Sequence, residues 1–78
     1  DQTISRNLIK DRAAQIHLSA REREVLEYLV KGQQSKGIAF ELGISIRTVE
    51  MHRSKVLSKL GARSTSHAVA IAKGLGLI

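Results

Sequence analysis

An all-α fold is expected from three features of this 78-residue chain. Its apolar residues recur at intervals of three and four rather than two, the period of a helix face. Serines able to cap helices stand before those runs, and glycines follow them. The chain has one Phe, one Tyr, no Trp and no proline. The core must therefore be built from Leu, Ile, Val and Ala, which suits closely packed helices better than stacked sheets.

Taken in order, residues 1–17, DQTISRNLIKDRAAQIH, carry Ile4, Leu8, Ile9 and Ile16 around Ala13 and Ala14 and are expected to form a loosely amphipathic linker helix. Ser19-Ala20-Arg21-Glu22 then offers a capping box, in which the serine hydroxyl accepts from the Glu22 amide while the Glu22 carboxylate accepts from the Ser19 amide. A helix should start at about Ala20, bury Val25, Leu26, Leu29 and Val30, and stop at Gly32. "SKGIAFELGISIRTVE" follows, with Ile38, Ala39 and Leu42 on one short helix that Ser35 and Lys36 begin. A break at Gly43 precedes Ser45, the N-cap of the next helix. Two helices joined by about three residues must cross at a wide angle, which demands a positive φ at Gly43 and a small residue, Ala39, against Val49. Ile38, Leu42, Ile44 and Val49 should form the seam. This is the spacing of a helix-turn-helix. Its second helix is expected over residues 46–60, ended by Gly61, and a last helix starts at about Thr65 behind the N-cap Ser64.

On a wheel centred on Val49, the side chains of Val56 and Leu60 fall in the buried stripe, with Ile46 and Leu57 at its margin. Arg47, Glu50, Met51, Ser54, Lys55 and Ser58 lie opposite. A helix in the major groove needs donors for guanine, acceptors for the cytosine amino group and apolar atoms for the thymine methyl. Arg47 and Lys55, Glu50, and Met51 can supply these in turn. The bland alternative is a solvated face on which Glu50 pairs with Arg47 or Ser54 one turn away. Ser45, Thr48, His52, Arg53 and Lys59 flank this face, where they can fix a helix to the backbone without reading sequence. The stem of Arg53 should pack while its guanidinium reaches outward. His52 has a competing expectation, that of a half-buried helix histidine with one nitrogen bonded locally.

Charge supports a nucleic-acid partner. Thirteen Lys and Arg against seven Asp and Glu leave +6, a field that attracts polyanions, though a basic surface alone also serves solubility. Without cysteine there is neither a disulfide nor a thiolate zinc site, and His17, His52 and His67 lack metal-ligand spacing, so no metal or cofactor is expected. Apolar runs such as 68–72 are too short for a bilayer, and a cytoplasmic, membrane-free protein is expected. Catalysis is not expected. Residues two apart on a helix point about 160° away from each other, so Glu50, His52 and Ser54 cannot converge. "GQQSKG" lacks the Lys-Ser/Thr ending of a phosphate loop. The chain opens on Asp1 and is expected to be a piece of a longer polypeptide.

Residues 18–78 resemble the LuxR-type helix-turn-helix, in particular the FixJ/NarL group of two-component response regulators. "LSAREREVL", "IAFELGIS", "TVEMHRSKVLSKLGARS" and "HAVAIA" stand in the same order and separation. The resemblance implies a four-helix DNA-binding domain over 18–78, an N-terminal linker helix over 1–17, and binding to double-stranded promoter DNA as a homodimer with residues 46–60 in the major groove. It places base contacts at Glu50, Met51 and Ser54 and backbone contacts at Lys36, Ser45, Thr48, His52, Arg53 and Lys55; Arg47 joins the backbone set from its place on the same face. It puts Ala68, Val69, Ile71 and Ala72 at the dimer interface and implies an upstream receiver or sensor domain, with RNA polymerase as a further candidate partner. One departure is the Ser35-Lys36-Gly37 start of the second helix, where many relatives have Asn-Lys before "IA"; glycine weakens a helix turn by ~1 kcal/mol relative to alanine. Two rivals share this geometry: a protein-interaction bundle and a sigma-factor-like promoter-recognition domain.

Overall fold

The computed structural model describes residues 16–77, and the expected linker helix at 1–15 lies outside the described residues. Ile16 and His17, its last two expected residues, are not helical. The reason is local. Ser19 must be extended (φ −65°, ψ 164°) to cap the next helix, and Ile16 and Leu18 turn into the core beside it.

Four helices follow: α1 (Ala20–Val30), α2 (Ser35–Leu42), α3 (Ile46–Leu60) and α4 (Thr65–Gly74). The capping box forms as expected at α1, with the Ser19 amide donating to Glu22 Oε1 at 2.9 Å and the Glu22 amide donating to Ser19 Oγ at 3.1 Å. Ser45 Oγ accepts from the Thr48 amide at 3.0 Å, and Ser64 Oγ accepts from the His67 amide at 3.1 Å. Gly43 ends α2 at φ 66°, which lets the Ile44 amide donate back to the Ala39 carbonyl at 3.1 Å and closes the turn. A side chain at that φ would be strained.

The core consists of two clusters that share α3. One joins Val25, Leu29, Ile38, Ala39 and Val49, with Tyr28, Leu42, Ile44 and Val69 packed against it. The other joins Leu26, Val56, Leu60, Ala68 and Ala72, with Ile16, Leu18, Leu57 and Ile71 at its edge. The interior is aliphatic throughout, because Tyr28 is only half-buried and Phe40 projects from α2 with 87% of its surface exposed. The seam expected between the two short-linked helices is present in the first cluster.

Beneath the second cluster lies a buried acid. Glu22 is 3% exposed, and Lys59 Nζ donates to its Oε1 at 2.6 Å and to the His17 carbonyl at 2.9 Å. Lys59, expected at the DNA backbone, instead bonds within the protein from its surface, because a buried carboxylate requires a compensating donor.

Gly37 lies in the first turn of α2. A Cβ there would meet only the amide oxygen of Gln33, the mobile tip of an exposed side chain. Gly37→Ala is therefore expected to stabilise the domain by about 0.5–1 kcal/mol, from helix propensity and a less disordered unfolded chain. Urea titration should show a higher midpoint, and a lower one would mean that Gln33 has no room to move aside.

Candidate nucleic-acid interface

The orientation of α3 decides what it can touch. Val49 and Val56 are wholly buried and Leu60 nearly so, which fixes the inner stripe expected from the wheel. On the opposite side Arg47, Met51, Ser54, Lys55 and Ser58 are all exposed. Met51 keeps 47% of its surface in solvent, a large fraction for a thioether in so small a domain. Ile46, expected at the buried margin, is the first residue of α3 and is 48% exposed. Ser45 and Thr48 bond each other through their hydroxyls at 2.8 Å; they hold the helix start and still face solvent.

Glu50 differs from the expectation. Its Oε1 accepts from the Ser35 hydroxyl at the start of α2, and its Oε2 accepts from Arg53 Nε at 3.0 Å and from Arg53 Nη2. Its partner on the helix is thus Arg53, not Arg47 or Ser54. The Ser35 hydroxyl first, and then the Arg53 guanidinium, hold the Glu50 carboxyl below the usual carboxylate range. Arg53 in turn donates from Nη1 to Thr65 Oγ1 at 3.0 Å. Its guanidinium does not reach outward as expected, because acceptors on α3 and α4 hold it in place. A chain Ser35–Glu50–Arg53–Thr65 therefore ties the first residues of α2 and α4 to the middle of α3. It lies along an open bay also lined by Gln33, Gln34, Lys36 and Ser66.

His52 is half-buried, with Nδ1 enclosed and without a hydrogen-bond partner, so the expected local bond is not formed. Lys36 is exposed in the first turn of α2, whose N-cap residue Gln34 makes no side-chain cap bond. Amides left open in this way, next to a lysine, suit a phosphate. Among the described residues Lys36, Arg47 and Lys55 have no carboxylate partner, whereas Arg53 and Lys59 are paired.

For the expected dimer interface the structure requires a correction. Ala68 and Ala72 are completely buried under Leu26, Val56 and Leu60 and cannot touch a partner. Val69 and Ile71 are half-buried on opposite sides of the same helix, each leaning on a different cluster. Alanine spacing alone does not distinguish a core stripe from an interface stripe, since both select small apolar side chains.

Sequence comparison settles the family. The profile described as bacterial regulatory proteins, luxR family, matches residues 17–72. This chain belongs to the luxR family. It is a LuxR-type helix-turn-helix DNA-binding domain of the kind carried by transcriptional regulatory proteins. The transcriptional regulatory protein FixJ of Rhizobium meliloti (strain 1021) is 51% identical over 61 residues, which are 76% of this chain and 30% of that protein. Full-length FixJ from B. japonicum superposes with a TM-score of 0.79 at 40% identity, over 99% of this chain and 38% of that one. The Vibrio cholerae VqmA dimer, a LuxR-type receptor whose conformation shifts in the absence of target DNA, gives 0.74 at 43% identity over 78% of this chain and 28% of that one. The LuxR-type domain thus spans about a third of these relatives.

Sequence reasoning missed Ser35 as a partner of Glu50 and Thr65 as a partner of Arg53. Only the three-residue spacing of Glu50 and Arg53 was there to be seen.

Proposed function

We propose that this domain binds double-stranded DNA with α3 in the major groove, Met51 and Ser54 turned to the bases. Lys36, Arg47 and Lys55 meet the phosphates, with Ser45, Thr48 and His52 placed around them. The observation that carries this is the exposed Met51, set among Arg47, Ser54 and Lys55 on the face opposite a fully buried stripe. A methionine there offers polarisable apolar atoms to a thymine methyl, and the short serine leaves room for a base edge. The domain binds as a homodimer, as twofold half-sites require, with the exposed outer face of α4 that Val69 and Ile71 flank and Ala70 centres as the meeting surface. The domain serves as the effector part of a cytoplasmic response regulator like FixJ, with a receiver domain upstream and RNA polymerase as the machinery it addresses. Among the described residues no helix is long and apolar enough to cross a membrane.

Salt titration tests the reading directly. With Lys36, Arg47 and Lys55 each neutralising one phosphate, one domain should lose affinity with a log–log slope of about −3, and a dimer with about twice that. Absence of DNA binding even at low salt would favour the protein-interaction bundle instead. Met51→Ala is expected to cost on the order of 1 kcal/mol on sites with a thymine beneath it and much less on other DNA. Equal weakening on both, measured by fluorescence anisotropy, would remove Met51 from the reading face.

A further inference from the structure

Glu50 stands beside Met51 on the helix proposed to enter the groove, yet its two oxygens are already bonded within the protein. Arg53 supplies two of those bonds and gives a third to Thr65. Both side chains keep more than a third of their surface accessible, so the pair lies at the protein's edge and not in its core. It also shares its bay with Lys36 and the open amides at the start of α2, the place where a phosphate would be received. An arginine in that bay, if free, would be a further cation for any nucleic-acid backbone regardless of sequence.

We propose that Glu50 is a specificity-determining residue that acts through Arg53: it withholds the guanidinium from DNA phosphates and so lowers affinity for random sequence without reading a base itself. The inference rests on the DNA-binding reading above. Three features support it. Arg53 places both Nε and Nη2 on one Glu50 oxygen, which directs that edge of the guanidinium along α3. Ser35 fixes the carboxylate end of the pair and Thr65 the guanidinium end, so that release of Arg53 requires breaking its bonds to Glu50 on its own helix and to Thr65 on α4. The carboxylate also places a negative charge beside the uncapped start of α2, where it offsets the positive end of the helix and competes with an incoming anion. A sequence-reading domain gains from this, since discrimination is a difference between affinities, and suppressing the wrong one raises it.

The experiment compares the parent protein with Glu50→Gln and Glu50→Gln/Arg53→Gln on a site selected from a random pool and on random duplex DNA, each across a salt series. Helix content and melting temperature are recorded alongside. In Glu50→Gln the random-DNA affinity is expected to rise several-fold and its log–log slope to steepen by about 1, the signature of one added phosphate contact. The base preferences recovered by selection should stay the same, and the double variant should return to the parent slope. Each other outcome overturns the inference. A changed base at one position, such as adenine for cytosine, would make Glu50 a reader, since a glutamine amide pairs with adenine where a carboxylate accepts from cytosine. A rise that persists in the double variant would assign the effect to lost repulsion alone. An unchanged slope in a folded Glu50→Gln protein would show that Arg53 has no reach to the backbone. Failure of the parent itself to bind DNA would overturn the DNA-binding reading together with this one, and so separates the two failures.

Discussion

Leu26→Ala is expected to destabilise the domain by about 3 kcal/mol, because a completely buried leucine loses its transfer energy and leaves a cavity behind. Leu26 belongs to α1 but packs in the cluster that holds Val56 and Leu60 of α3 and Ala68 and Ala72 of α4. Its side chain therefore joins three helices, and small alanines across from it cannot swing in to refill the space. A domain of this size has a total stability of about 4–12 kcal/mol, so the loss is a large share of it. Melting should fall by roughly 12–24 °C. Circular dichroism measures this directly. A drop of a few degrees only would mean that the second cluster relaxes around the cavity. DNA affinity measured well below the new midpoint should stay near the parent value, since Leu26 lies on the side of α3 away from Met51.

Lys59→Met should cost about 2 kcal/mol at neutral pH, and its effect should depend on acidity. Methionine retains the stem's packing but removes the ammonium that Glu22 relies on. Breaking a buried pair from one side costs more than an exposed ion pair is worth; the 40% exposure of Lys59 keeps the figure below the fully buried limit. Lys59 first, and the Ser19 amide second, lower the Glu22 pKa from its ordinary 4.5. A depressed carboxylate pKa contributes stability that is fully present above the ordinary value and is lost as pH falls through the folded one. The gap between parent and variant in urea titrations should thus be widest near pH 7 and narrow below about pH 4.5. Lys59→Met and parent differing equally at pH 7 and pH 3 would disprove the assignment. Glu22→Gln should flatten the acid limb in the same window.

These two residues also show where sequence reading succeeds and where it stops. The Ser19–Glu22 box and the inner stripe of Val49, Val56 and Leu60 rest on interactions within one helix or its cap, and spacing along the chain reveals such interactions directly. The bounds of α3 were legible for the same reason, with Ser45 at one end and Gly61 at the other. Lys59 and Glu22 are 37 residues apart, and Ser35 and Glu50 are 15 apart. Pairs of that kind depend on how helices cross, so spacing along the chain does not show that Lys59 serves Glu22 or that Ser35 completes the Glu50–Arg53 pair. Ala68 and Ala72 were ambiguous for another reason, since a small side chain tolerates close approach by either its own core or a second subunit.

Because both apolar clusters meet on α3, neither half of the molecule can melt and leave the other intact. An oligonucleotide gripping the outer surface of that rod should therefore raise the temperature of a single, concerted transition, by an increment that grows with the logarithm of ligand concentration. Recognition and folding would then share one thermodynamic cycle, and calorimetry of the complex would report both at once.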